Sequence, residues 1–188
     1  PAHWHRLADG AGLLAIGLPD ENLIRNAAQQ LAGNARGVIK IILTRGESGR
    51  GYLAGAGPAT CIVSVHAMPS PLPVPLALYW CGTALSEQPA LAGIKHLNRL
   101  ENVLARRECD LAGYPEGLMC NRAGQVICAT SANVFLHAAG RWHTPDVGVC
   151  GIAGITRVWM IWHTGAACVG RVTRAMLENA NAVFLCNA

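Results

Sequence analysis

The sequence predicts an α+β protein made of two strand-rich lobes. Three observations carry that expectation. Short β-branched runs recur along the chain, and the glycine-containing triplets Arg122-Ala123-Gly124 and Ala138-Ala139-Gly140 punctuate them as hairpin turns. The stretch Met68–Pro75 holds four prolines and no charge, a linker signal that divides the chain. Hairpins outnumber β-α-β units, and no G-x-G-x-x-G follows a strand, which disfavours a doubly wound dinucleotide-binding sheet.

The elements follow from periodicity. Leu23 to Leu31 reads as a helix, with Leu23, Ile24, Ala27, Ala28 and Leu31 on one face. Val38 to Leu43 is nearly continuously apolar and reads as a buried strand. Arg45 to Tyr52 is a glycine-rich loop. Thr60 to His66 alternates, with Cys61, Val63 and Val65 on one face and Ile62, Ser64 and His66 on the other. After the prolines, Leu76 to Gly82 reads as a strand. Ile94 to Arg107 reads as an amphipathic helix packing through Leu97, Leu100, Val103 and Leu104. Strands are expected at Gly117–Cys120, Val126–Ala129 and Asn133–Leu136 and a helix at Thr156–His163. The chain then closes with strands at Val169–Val172 and Val183–Cys186 and a short helix between them. This divides the chain into a first lobe over 1–70, a linker over 71–75 and a second lobe over 76–188.

Composition narrows the class. The 188 residues are 52% hydrophobic and 14% charged, enough apolar material for a real core. Mean hydropathy is +0.28, which implies elements buried on both faces or a subunit interface. The net charge of +4 comes from scattered arginines among few aromatics, a poor match to a nucleic-acid-binding surface. No apolar run approaches the roughly 18 residues of a membrane span, and no signal peptide is visible at the start. Eight cysteines, at 61, 81, 109, 120, 128, 150, 168 and 186, form no C-x-x-C pair. They read as reduced core thiols of a cytoplasmic protein, and no metal site is expected from them.

Chemistry concentrates on one residue. Thirteen of the fifteen basic side chains are Arg; the lysines are Lys40 and Lys95. Lys95 is expected where a flexible strand end meets the start of the Ile94–Arg107 helix. A primary amine there can form a Schiff base with a carbonyl, which a guanidinium cannot. The run Gly151-Ile152-Ala153-Gly154-Ile155-Thr156-Arg157 reads either as an anion site at a helix start or as an ordinary Thr-capped helix. The loop Arg45-Gly46-Glu47-Ser48-Gly49-Arg50-Gly51-Tyr52 brings two guanidiniums together. It reads as a carboxylate-recognition loop or a solvated hairpin, and it lacks the Gly-Lys-Ser/Thr ending of a Walker loop. His3-Trp4-His5-Arg6-Leu7 supplies one more arginine, and Asn187-Ala188 ends a strand with polar backbone. No Ser-His-Asp arrangement or nucleophile elbow is present. His96 reads as a partly buried structural histidine.

Taken together, these segments resemble the pyridoxal-phosphate enzymes of fold type IV, the family of branched-chain and D-amino-acid aminotransferases, and within it the aminodeoxychorismate lyases. The resemblance rests on H-x-x-R-L at His3–Leu7, R-G-x-x-G-R-G-Y at Arg45–Tyr52 and G-I-K-H-L-N-R-L-E at Gly93–Glu101. It continues through Ser131-Ala132-Asn133-Val134-Phe135, G-I-T-R at Gly154–Arg157 and C-N-A at Cys186–Ala188. These run in family order along essentially the whole chain. The resemblance implies a two-lobed fold with an α/β sandwich and a pseudo-barrel. It implies pyridoxal 5'-phosphate carried on Lys95 as a Schiff base, with that amine later shuttling a proton. Arg6, the N–H groups of Ile155 and Thr156, the Thr156 hydroxyl and Asn187 would hold the phosphate, and Ile152 would pack on the ring. Arg45, Arg50 and Tyr52 would meet substrate carboxylates. The implied reaction takes 4-amino-4-deoxychorismate to 4-aminobenzoate and pyruvate, for folate synthesis, in a cytoplasmic homodimer.

Two departures qualify it. The family places a Glu against the pyridine nitrogen at the position held here by Cys128, and a thiol does not keep that nitrogen protonated unless it ionises. The family's first strands are missing ahead of Pro1 and its C-terminal end beyond Ala188, so the chain is expected to be a segment of a longer protein, with its first lobe incomplete. Two other readings stand beside the lyase: an aminotransferase of the same fold, and a non-catalytic relative.

Overall fold

A computed structural model describes residues 1–34, 36–53, 55, 57–164 and 167–187. The chain divides into two compact units, Pro1–Pro71 and Leu72–Ala188. The first holds helices α1 (Ala2–Leu13) and α2 (Glu21–Ala32) and strands β1 (Gly37–Thr44) and β2 (Thr60–Ala67). Asp20 starts α2, its carboxylate accepting the Leu23 N–H at 2.9 Å. Strands β1 and β2 form an antiparallel pair from Gly37 opposite Ala67 to Thr44 opposite Thr60. The alternation expected of β2 holds, with Cys61, Val63 and Val65 less exposed than their neighbours Ile62 and His66. The continuous burial expected of β1 does not. Val38 and Ile39 are exposed, because a two-stranded ribbon leaves faces uncovered within this unit. Helix α1 has no counterpart among the expected elements; its Gly10 and Gly12 depress the helical signal.

The second unit contains two four-stranded sheets. One runs β3 (Leu78–Trp80), β4 (Glu116–Cys120), β5 (Gln125–Ala129), β9 (Val172–Thr173). The other runs β10 (Ala182–Cys186), β6 (Asn133–Ala138), β7 (Arg141–Pro145), β8 (Ala167–Gly170). Helices α3 (Leu100–Leu111), α4 (Ile155–Thr164) and α5 (Arg174–Glu178) complete it. Leu118, Val126, Val134, Leu136, Val172 and Leu177 form one core cluster drawn from both sheets. A second cluster joins Ala105 of α3 to Leu85, Met119, Ile127, Cys128, Val147 and Cys150. Each fully buried aliphatic side chain contributes about 2 kcal/mol of burial energy. The sheets do not close into a barrel among the described residues.

Local chemistry explains where these elements depart from expectation. Strand β3 is shorter than the expected Leu76–Gly82 run, because its pairing with β4 covers only Leu78–Trp80. The Arg141–Pro145 strand is absent from the expected set, since its Arg, His and Pro hide a β pattern; it pairs with β6 across the Ala138–Gly140 turn. The expected 169–172 strand divides into β8 and β9, which belong to different sheets. Helix α3 begins at Leu100, not Ile94. The segment before it is held non-helical by backbone hydrogen bonds from Gly93 N to Gly151 O (3.1 Å) and from Ala153 N to Gly93 O (3.0 Å). Arg99 also turns back to donate to the Ile94 carbonyl at 2.7 Å. The packing face of α3 is likewise corrected. Leu97, Leu100, Val103 and Leu104 are all more than half exposed, whereas Ala105 and Cys109 are buried. Small side chains face the sheet because α3 sits close to it. A Cβ on Gly117 would collide with both Cys81 Sγ and Cys109 Sγ.

Phe135 is 1% exposed and stacks on Phe184 at 4.9 Å between ring centroids, directly opposite it in the β6–β10 register. Phe135→Ala is expected to destabilise the fold by about 3–5 kcal/mol, read as a lower denaturant midpoint with unchanged slope.

Candidate functional site

Lys95 lies on the irregular segment between a short 3-10 turn (Pro89–Leu91) and α3, and it is exposed. The expected helix start is therefore replaced by a non-helical link. Gly93 forms a parallel bridge with Ile152, so the lysine segment lies beside the 151–157 loop. Gly93 has φ +78°, a conformation side chains disfavour.

The loop is tightly packed from behind. Gly151 has φ +92°, and a Cβ there would meet Ile127 Cγ2 at 2.8 Å. A Cβ on Gly154 would collide with Asn133 Oδ1. Asn133 is buried and donates from Nδ2 to the Ile152 carbonyl at 2.9 Å. Helix α4 starts at Ile155, and the first N–H groups of a helix have no partner within it. The Thr156 hydroxyl donates to the Asn187 carbonyl at 2.9 Å, tying the helix start to the end of β10. Ala188, the last residue of C-N-A, lies outside the described residues. Lys95, Ile152, Ile155, Thr156 and Asn187 thus share one unit and one connected backbone network. Such a helix start, with a hydroxyl and a lysine segment alongside, can receive a small phosphorylated carbonyl compound.

Cys128 sits behind this surface on β5. It is 7% exposed and faces Met119 across the β4–β5 ladder. The register shifts between Met119 and Cys120, leaving Ile127 as an extra residue on β5. That bulge sends Ile127 and Cys128 together into the α3-side core cluster, while Val126 joins the other. Burial pushes the Cys128 thiol up to about 12, against a downward pull from Arg99. The thiol is therefore neutral at physiological pH. Arg99 is held below the usual guanidinium value by burial, with Cys128 and Glu101 acting in the opposite direction. Its Nε is buried without a hydrogen-bond partner.

A groove of about 430 Å³ adjoins the lysine segment, lined by Leu85, Gln88, His96, Arg99, Glu101 and Cys150 among others. Burial, and then Arg99, lower the His96 value, which keeps that ring uncharged near neutrality. Neither Lys95 nor Thr156 lines this groove.

The remaining expected residues belong to the first unit. Arg6 is on α1, half-buried, its guanidinium lowered by burial. Arg45 donates to the carbonyls of Ala15 (2.8 Å) and Leu14, so part of its donor set caps the end of α1. Arg50 and Tyr52 are exposed. Sequence reasoning gives Arg157 no role. It is 6% exposed and donates to the Pro145 carbonyl at 2.8 Å, anchoring α4 to the end of β7. The buried Asn133 and the half-buried Arg99 are equally without an expected role, because nothing in their spacing distinguishes them from surface polar residues.

Comparison with known proteins gives a consistent result. The family model described as amino-transferase class IV matches residues 1–188. The chain is 31% identical to the aminodeoxychorismate lyase of Vibrio harveyi over 202 aligned residues, covering all of this chain and 73% of that protein. It superposes on the crystal structure of 4-amino-4-deoxychorismate lyase from Pseudomonas aeruginosa with a TM-score of 0.89 at 38% identity, again covering 100% of this chain and 73% of the other. A T.th. branched-chain amino acid aminotransferase, solved with pyridoxamine 5'-phosphate, shares the fold at 22% identity, with a TM-score of 0.81 over 97% of this chain and 64% of that one.

The raised Cys128 value has a stability consequence. A thiol whose folded value exceeds its unfolded value, about 8.5, stabilises the fold fully below that lower value. The contribution is lost as pH rises toward 12. The denaturation midpoint is expected to fall between about pH 9 and 12, and less steeply in Cys128→Ala, when followed by urea titration across that range.

Proposed function

The chain belongs to the amino-transferase class IV family, and we propose that within it the chain is the lyase that converts 4-amino-4-deoxychorismate to 4-aminobenzoate and pyruvate. The observation that carries the reading is the backbone bridge between Gly93 and Ile152, which sets the Lys95 segment against a glycine loop and helix start. The identities of 31% and 38% to lyases favour that reaction over amino transfer.

The residues present fit pyridoxal 5'-phosphate. Gly154 leaves the loop flush against Asn133, and the α4 N–H groups and positive dipole end suit a phosphate. In this reading the backbone N–H groups of Ile155 and Thr156 hold the phosphate, and Asn187 adds a further contact. The Thr156 hydroxyl spends its one proton on the Asn187 carbonyl, so it serves the phosphate only after rotating. Ile152 offers an apolar surface to the ring.

When bound, the cofactor supplies an electron sink for negative charge on the carbon next to the substrate nitrogen. Lys95 would hold it through its amine, and that amine in its free form would take the proton from the substrate carbon that bears nitrogen. The C–O bond to the enolpyruvyl group would break as its oxygen takes a proton back from the Lys95 ammonium, and the released enol would become pyruvate while the ring turns aromatic, which drives the reaction. Cys128 stands where the family places the carboxylate for the ring nitrogen, and its neutral thiol would not keep that nitrogen protonated. A reaction driven by aromatisation tolerates this better than a complete amino transfer.

The same reading extends to context. The exposed apolar residues of α3 suit a second copy of the chain, giving a homodimer. The seven cysteines with described side chains are free, which fits a reducing cytoplasm. No helix among the described residues is long and apolar enough to cross a membrane. The product places the protein in folate synthesis.

Lys95→Ala is expected to abolish formation of 4-aminobenzoate and to remove the pyridoxyl adduct that borohydride leaves on the Lys95 peptide, scored by mass mapping. Product analysis showing amino exchange with a keto acid would transfer the assignment to an aminotransferase. Cys128→Glu is expected to shift the visible cofactor band and change turnover; an unchanged spectrum and rate would refute the role given to position 128.

A further inference from the structure

Glu116 is a 2%-exposed carboxylate at the first position of β4, and the reaction proposed above makes no use of it. Its surroundings are unusually well matched. One oxygen accepts the Gly117 N–H at 2.9 Å, the Thr130 N–H at 3.0 Å and the Thr130 hydroxyl. The other accepts the Ser131 hydroxyl at 2.5 Å. All of these donors except Gly117 belong to the turn that joins β5 to β6. Asn102 of α3 donates to the Thr130 carbonyl at 3.0 Å and holds the same turn from its other side.

The turn leads directly into Asn133. That side chain bonds the Ile152 carbonyl and occupies the space that a Cβ on Gly154 would need. Asn133 also pairs with Cys186 in the β6–β10 ladder, and the next residue, Asn187, receives the Thr156 hydroxyl. A closed path therefore runs from Glu116 through Thr130 and Ser131 to Asn133. It continues through the 151–157 loop and Thr156 to Asn187, and returns along β10 to Asn133. A shift of the β5–β6 turn would move Asn133, and with it both sides of the helix start.

We propose that Glu116 is a positioning residue that sets the geometry of the phosphate-binding loop through Thr130, Ser131 and Asn133. It touches neither substrate nor cofactor in this account. A buried charge accepting four hydrogen bonds holds its donors more rigidly than a neutral acceptor would. The inference rests on the cofactor reading above.

The test separates phosphate recognition from general stability. Cofactor-free whole-chain protein is titrated with pyridoxal 5'-phosphate and with pyridoxal, and the ratio of the two affinities reports the phosphate site alone. Glu116→Ala is expected to reduce that ratio about ten-fold or more, while pyridoxal affinity changes by less than about two-fold. Glu116→Gln keeps the oxygen facing Gly117 and Thr130 and is expected to restore part of the preference, to about three-fold below wild type. If Glu116→Ala does not fold, Glu116→Gln and Ser131→Ala carry the test, each expected to lower the ratio about three-fold. A wild-type ratio in the folded variants, or equal weakening toward both compounds, overturns the role of Glu116 and leaves the cofactor reading standing. A wild-type protein that does not prefer the phosphorylated compound overturns both.

Discussion

The second unit depends on a single backbone exchange. Gly93 donates to Gly151 and accepts from Ala153, and those two hydrogen bonds fasten the lysine segment to the loop that opens α4. Almost every other feature of the site adapts to that contact. Gly93 and Gly151 take backbone angles that a side chain resists. The residues from Ile94 to Arg99 are held out of the helix that their periodicity favours. Ile127 is bulged out of the β5 ladder and packs into the space left by the missing Cβ of Gly151. The net energy of two hydrogen bonds is modest, about 1 kcal/mol each. Their importance is geometric, since they fix the register between an amine and a helix dipole.

Position 128 shows how burial decides chemistry. A carboxylate there would lie near Arg99 and have a partner for its charge. The thiol has the same neighbour, yet desolvation outweighs the attraction and keeps the proton on sulfur. The guanidinium of Arg99 then turns to the Ile94 carbonyl and leaves its Nε without a partner. The polarity of this part of the site is therefore set by an arginine rather than by an acid.

Much of the architecture is legible in the sequence. Helix α2, the alternation of β2, the hairpin turns and α4 are governed by local rules of periodicity, pleat and turn geometry, which act within a few residues. The Gly154–Arg157 and Gly93–Glu101 segments stand out because glycine spacing and a rare lysine are local properties too. Other features are not legible. The Leu97-Leu100-Val103-Leu104 stripe is a sound amphipathic pattern, but within this unit α3 packs through Ala105 and Cys109 instead. Periodicity reveals that a helix has an apolar face, not which partner meets it. The Arg141–Pro145 strand owes its existence to its neighbours β6 and β8, and its own side chains give little hint of it. Asn133 reaches Ile152, Arg157 reaches Pro145 and Glu116 reaches Thr130, each across twelve or more residues, a separation that no local pattern encodes.

By itself, the sequence determined the fold class, the family and the lysine around which the proposed site is drawn, because composition, turn chemistry and motif order are written along the chain. Only the tertiary structure decided which residues hold that lysine's surroundings in place. The bridge at Gly93, the bulge at Ile127, the neutral state of Cys128 and the carboxylate hub at Glu116 arise from segments distant in sequence brought together. The physical reason is that hydrogen-bond satisfaction and desolvation depend on the completed neighbourhood of a group, and that neighbourhood exists only once the chain has folded.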